Sequence, residues 1–217
     1  DANVGCCLLT DGRVFLWSDV SKNTVRFLET GSVASVAVSD SGRHIAIGTQ
    51  TGKIFLTDIR GKLNEPWILP TSTQTTVSAL RFSSDARIMA VGTDSAAVLI
   101  LDTATGQTRT AFQGHADTAI KHLRFLSDER ELAAISAFGL NVCNIQTGTE
   151  TLRRANSQSG RSLAISESGQ YCLTGDMVEY IPRVEVVAST ALRQQLESRS
   201  GIRLTEAGLI EFVDVPN

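Results

Sequence analysis

Val38-Ser39-Asp40-Ser41-Gly42-Arg43 returns as Phe82-Ser83-Ser84-Asp85-Ala86-Arg87, as Phe125-Leu126-Ser127-Asp128-Glu129-Arg130, and as Ile165-Ser166-Glu167-Ser168-Gly169-Gln170. The copies start at residues 38, 82, 125 and 165, so they are spaced by 44, 43 and 40 residues. A period of this size marks a repeat architecture, in which each copy is one supersecondary unit that cannot bury its apolar surface alone.

Ahead of each polar turn the apolar residues alternate, as Val36 and Val38, Leu80 and Phe82, Leu123 and Phe125, and Leu163 and Ile165. Alternation with period two predicts a strand. After each turn comes a second apolar run, beginning at His44, Ile88, Leu132 and Tyr171. A hairpin follows from the Ser, Asp and Gly content of the turn between them. A third run is seen as Lys53 to Asp58, Val98 to Asp102 and Leu140 to Asn144, and the last two end in the turn pairs Thr105-Gly106 and Thr147-Gly148. The fourth segment, such as Gln107 to Phe112 or Glu150 to Arg154, is more polar, as an outermost strand with water on one side should be. The first thirty residues enter this template at its second strand, Gly5 to Leu9, with a turn at Thr10-Asp11-Gly12, a third strand at Arg13 to Ser18 and a fourth at Thr24 to Leu28. The opening unit thus lacks its first strand, which leads us to expect a piece of a longer protein.

Composition limits the function classes. With 42% hydrophobic and 20% charged residues the chain is an ordinary globular sequence. Its net charge of -3 offers no basic field for nucleic acid or an anionic membrane. No apolar run approaches the roughly 20 residues of a membrane span, and no leader segment is visible. The four cysteines form neither a disulfide framework nor a Cys-x-x-Cys pair, and no Asn-x-Ser/Thr acceptor occurs. Both point to an intracellular compartment, cytoplasmic or nuclear.

With the repeat in hand, the unit resembles the WD40 repeat, the four-stranded antiparallel blade of a β-propeller, over residues 4 to 187. The family's Gly-His dipeptide is present once, as Gly114-His115, and parts of its Trp-Asp pair survive as Trp17, Asp58 and Asp102. In well-formed blades of this family a His, a Ser or Thr, a turn Asp and the Trp form a hydrogen-bonded lock. Here Asp11 and Trp17 share one unit without the His, while the unit of His115 carries Cys143-Asn144 where Trp-Asp would stand. The resemblance implies an all-β protein of about four full blades and a partial one at 1–187, most simply an incomplete ring, with a closed five-bladed ring as the alternative. Residues 188–217 depart from the pattern. Ser189-Thr190 ahead of Ala191 to Arg199 predicts a short helix, and Gly208 to Val215 a final strand placed to complete the first blade.

Catalytic signals are weak. His44 opens a second strand, His115 belongs to the Gly-His dipeptide and His122 lies in a first strand, so each histidine has a structural place. The spacing of His115, Asp117 and His122 matches no common zinc pattern. Phosphate loops, nucleophile elbows and His-Glu-x-x-His are all missing from the sequence. We therefore expect no cofactor, no metal and no catalysis. The leading expectation is a protein-binding scaffold or recognition module. An enzyme or small-ligand binder using the central channel, and a structural subunit of a stable complex, are the alternatives. Propellers of this family bind through the loops before each first strand and between second and third strands. The residues there with recognition capacity are Gln50, Asp94, His115, Asp117 and Phe138, with Trp67 as a side-surface anchor or a shield for its own blade. Arg81 and Arg124 occupy equivalent first-strand positions, from which they could line an interblade or channel surface.

Overall fold

The recurrent turn has a physical cause that the structure makes plain. In the computed structural model the hydroxyls of Ser39, Ser83 and Ser166 accept the backbone N–H of His44, Ile88 and Tyr171 at 3.0, 3.2 and 3.0 Å. One position of each turn needs the left-handed backbone region, and it is filled by Gly42, Ala86, Glu129 and Gly169 at φ of 67, 56, 50 and 70°. Glycine takes that conformation without cost, whereas Ala86 and Glu129 hold it under strain.

The structure describes residues 4–8, 13–18, 26–28, 32–58, 65–70, 75–114, 118–126, 129–155, 163–166, 168–174, 177–180, 202–204 and 210–212. Within them, each repeat is an antiparallel sheet whose strands follow in chain order. Blade 1 holds β1 (Val4–Leu8), β2 (Val14–Ser18) and β3 (Arg26–Leu28). Blade 2 holds β4 (Val33–Val38), β5 (Ile45–Thr49), β6 (Lys53–Thr57) and β7 (Trp67–Ile68). Blade 3 holds β8 (Val77–Phe82), β9 (Ile88–Thr93), β10 (Ala97–Asp102) and β11 (Thr108–Gln113). Blade 4 holds β12 (Ile120–Phe125), β13 (Glu131–Ser136), β14 (Gly139–Asn144) and β15 (Glu150–Ala155). Blade 5 holds β16 (Leu163–Ile165), β17 (Tyr171–Thr174) and β18 (Met177–Tyr180). The protein is thus an all-β propeller of WD40-like blades. Three of its sheets have four strands and two have three, and the fourth segment expected for blade 5 lies outside the described residues.

The chain divides into two compact units, Asp1–Ile181 and Pro182–Asn217. In the second, β19 (Ile202–Leu204) pairs antiparallel with β20 (Ile210–Phe212) in a two-stranded sheet of their own. Of the strand expected over Gly208 to Val215, residues 210–212 form β20, and the partner of β20 in this sheet is β19. The helix expected over 191–199 lies outside the described residues.

Blades 2, 3 and 4 each bury two faces against their neighbours. Ala46, Ile54 and Leu69 of blade 2 meet Leu80, Phe82, Met89, Val91, Leu99 and Leu101 of blade 3. On its other face, blade 3 packs Ala90, Val98 and Ile100 against Ile120, Leu123, Phe125 and Leu132 of blade 4. Every such seam gains roughly 25 cal/mol for each Å² of apolar surface it removes from water. The first strands lie side by side, β4 on β8 and β8 on β12. Close approach there depends on glycine. A Cβ on Gly48 would overlap Val77 of the next blade, and one on Gly92 would stand 2.7 Å from both Ile120 Cβ and Cγ2. Ser35 donates to the Val77 carbonyl and Ser78 to that of Ile120, each at 2.7 Å, so the same seams are also hydrogen-bonded.

Blade 4 departs from this at one residue. Ile88 is opposite Asp102 in blade 3, and Glu131 is opposite Asn144 in blade 4, so the second strand of blade 4 starts at Glu131 and not, as the sequence alone suggests, at Leu132. The apolar run misleads because Glu131, which opens the strand, is charged. In the corrected register the position of Gly48 and Gly92 is held by Ile135, which packs with Leu126, Leu140, Val142 and Ile165 at the seam to blade 5.

Blade 5 carries an aromatic pair. Tyr171 and Tyr180 face each other across β17 and β18, their ring centroids 5.5 Å apart. Tyr171 stands where blades 2 and 3 have His44, which meets Phe82 of the following blade, and Ile88, which packs against the blade 3–4 core. Tyr180 stands where blades 3 and 4 have Asp102 and Asn144. Both tyrosines are exposed.

Candidate functional site

The loops between second and third strands are built on a hydroxyl staple. Thr49 Oγ1 accepts the N–H of Lys53 at 2.9 Å and donates to its carbonyl at 3.1 Å. Thr93 does the same with Ala97 at 3.0 and 3.1 Å. In blade 4 the turn is one residue shorter: Ser136 donates to Gly139 and accepts the N–H of Phe138, each at 3.3 Å. This short turn puts Phe138 at a hairpin tip, 42% exposed.

These turns are stitched to the loops that enter the first strand of their own blade. Gln50 N donates to the Ser32 carbonyl at 2.8 Å, and Asp94 N to that of Thr76 at 3.1 Å. The Asp94 carboxylate also accepts the Thr76 N–H at 3.1 Å, while Thr76 Oγ1 reaches the Gln50 carbonyl at 3.5 Å. Gln50 and Asp94 are therefore brought together through Thr76, on neighbouring blades, with both side chains exposed. His115 and Asp117 lie outside the described residues, as does Asp11, and of Trp17 only the backbone place in β2 is described.

Trp67 is turned to packing. Its half-buried indole joins the core shared by blades 2 and 3 and lies so close to Gly106 that a Cβ there would stand 2.5 Å from the ring. Gly114 serves a seam as well, since its N–H donates to Ala96 at 2.7 Å and a Cβ would press on Ile120. The Asp102 position is a turn cap. Its carboxylate accepts the N–H groups of Ala104 and Thr105 at 2.9 and 3.0 Å and pairs with Arg109. The Arg109 guanidinium, followed by the Thr105 N–H, holds the Asp102 carboxyl down at about 2. Asn144 does the same turn work without the charge, accepting Gln146 and Thr147 at 2.9 and 3.1 Å.

Cys143 occupies the Trp position of the family's closing pair. It is buried, and burial followed by the charge of Glu150 pushes its thiol up to about 12, the reverse of what a nucleophile needs. Among the described residues no group of three His, Cys, Asp or Glu side chains is placed to hold a metal ion.

A second concavity lies along the first strands. Ala37, Arg81, Arg124 and Ala164 each directly precede the last residue of their first strand, so they are equivalent. Arg81, His122 and Arg124 line a cleft of about 400 Å³, together with Leu123, Ile135, Ala164 and Ile165. An adjoining hollow of about 230 Å³ shares the two arginines and adds Asp40 and Glu129. Asp40 approaches Arg81 at 3.9 Å, and Glu129 accepts the Ser84 N–H at 2.6 Å. The sequence marks Arg81 and Arg124 as equivalent. It does not mark the cleft, whose signal is the Ile135 substitution seen only once the register is right.

Comparison with known proteins agrees with this architecture. In sequence, no protein of curated function matches the chain. Among solved structures 1313 chains match, so the fold alone does not single out an activity. One belongs to a structure titled "Crystal Structure of Mitotic Checkpoint Complex", with a TM-score of 0.65 and 19% identity, covering 78% of this chain and 55% of that one. The present chain therefore spans little more than half of that relative. A profile of the Vps8 beta-propeller matches residues 18–169, well over half of the sequence. The repeats, the stapled turns and this match agree: the chain belongs to the Vps8 beta-propeller family of WD40-like propellers.

Proposed function

We propose that the protein is a non-catalytic interaction module of a larger intracellular protein, cytoplasmic or nuclear, which receives protein partners on its stitched loop rim. The observation that carries this reading is the tie between Gln50, Thr76 and Asp94, which fixes loops of two adjacent blades into one surface and leaves polar side chains facing water. Phe138 supplies an exposed aromatic on the same side of the blades, the kind of side chain that anchors an interface. The reading extends to His115 and Asp117, which lie in the sequence between Gly114 and Thr118. That a propeller of this fold occurs in a mitotic checkpoint complex supports a role within an assembly. Among the described residues no helix is long and apolar enough to cross a membrane.

The test is capture of partners by the tagged natural protein, followed by chemical cross-linking. A Gln50→Ala and Phe138→Ala double variant, which removes exposed groups only, should lose the cross-linked partners while melting at the same temperature. Undiminished capture by this variant rules out the rim. A purified protein that turns over a substrate and captures nothing rules out the module.

A further inference from the structure

The cleft beside β12 and β16 does not belong to the architecture that the repeats share. Where blades 2 and 3 admit the next first strand against Gly48 and Gly92, blade 4 presents Ile135. That side chain forms part of the cleft wall with the buried Leu123 and Ile165, and the small Ala164 leaves the space open opposite Arg124. Of four equivalent first-strand positions two are Ala and two are Arg, so the blade does not require a cation there. The two arginines sit on adjacent blades and both line the cleft, with His122 next to them.

The sequence carries 23 acidic residues and 20 basic ones, yet among the described residues no carboxylate lines this cleft. Asp40 and Glu129 line the adjoining hollow. Asp40 lies 3.9 Å from Arg81, which is too long for a hydrogen bond and leaves that guanidinium able to take another carboxylate. A dianionic phosphate would meet repulsion from Asp40 and Glu129, whereas a single carboxylate meets less. At about 400 Å³ the space is near the lower end of ligand sites, roughly 300–1,000 Å³. It has room for a few side chains of an extended segment.

We propose that this cleft takes an acidic peptide segment of a protein partner, with its carboxylates on Arg81 and Arg124 and an adjacent apolar side chain against Leu123, Ile135 and Ile165. The proposal rests on the interaction-module reading above and names a second, chemically defined contact for it.

Fluorescence anisotropy of the full chain with labelled peptides of alternating Glu and Leu tests it, alongside the same peptides carrying Gln or phosphoserine for Glu. The Glu peptide should bind, with affinity falling as salt rises. The Gln peptide should bind about tenfold more weakly or worse, as should the Glu peptide to an Arg81→Gln and Arg124→Gln double variant. Ala164→Trp, which fills the cleft at an exposed position without touching its charge, should weaken binding as much. No binding of the Glu peptide, equal binding of the Gln peptide or by the arginine variant, or a clear preference for phosphoserine would each overturn the assignment. If the natural partners are captured equally by wild type and by the arginine variant, the cleft assignment falls and the module reading stands. If wild type captures none, the module reading itself falls.

Discussion

Blades 3 and 4 share a backbone and differ in what they put on it. Both run four antiparallel strands with an irregular register between third and fourth, and both close the third strand with an Asx cap, Asp102 in one and Asn144 in the other. Yet blade 3 has Gly92, Leu99 and Leu101 where blade 4 has Ile135, Asn141 and Cys143. Strand alternation and turn caps are thus enough to make a blade. The seam residues are free to vary, and they decide whether the next blade closes tightly or leaves a cleft.

The sharpest way to break this comparison is to give blade 3 the bulk of blade 4. Gly92→Val places a side chain where Ile120 already stands 2.7 Å from the Cβ position, on the strand to which Ser78 also bonds. Overpacking of a fitted seam costs roughly 1–3 kcal/mol, and the lost approach of β12 puts the expected effect at the upper end. Denaturant titration of the purified chain should show it as a lower midpoint at unchanged slope. A variant as stable as the parent would mean that glycine is not what brings the strands together.

The reverse exchange makes blade 4 resemble blade 3. Asn141 is fully buried; its amide nitrogen donates to Glu150, while its carbonyl oxygen has no hydrogen-bond partner within the protein. Blade 3 has Leu99 at this place, inside an apolar core. A half-satisfied buried amide is worse than an apolar side chain of similar size. Asn141→Leu should therefore stabilise the protein by about 1 kcal/mol, with Glu150 still paired to Arg153 at 2.7 Å. A thermal melt that drops would show that the Asn141–Glu150 bond holds the blade together.

These contrasts mark where the sequence can be read and where it cannot. The turn signature exposed the fold because its serine and its left-handed residue do fixed jobs, capping His44, Ile88 and Tyr171 and reversing the chain at Gly42 and Gly169. Trp67 was ambiguous in sequence between anchor and shield, because only the fold brings Gly106 under its ring. The cleft stayed hidden for a simpler reason. Glu131 opens β13 but breaks the apolar run, so counting from Leu132 moves Ile135 off the glycine position that gives it meaning. Arg81 and Arg124 showed their equivalence in sequence, but only the packing of β8 beside β12 places them on one concavity.

The smallest expected effect separates the two Asx caps. Asp102 is partly buried and held at about 2 by Arg109, below its ordinary 3.8, whereas Asn144 does not titrate. A carboxylate with a depressed folded pKa adds stability that is complete above its unfolded value and is lost as pH falls through its folded one. The contribution of Asp102 should therefore fade between pH 3.8 and about 2. Asp102→Asn keeps an oxygen for Ala104 and Thr105 and gives up only the Arg109 pair. Near neutral pH it should melt within a degree or two of the parent, because a largely solvated ion pair contributes little to stability. Over the acid limb its stability should depend on pH less steeply than that of the parent. If the two acid limbs run parallel, the Arg109 pair contributes nothing, and blades 3 and 4 close their third strands by the same neutral turn chemistry.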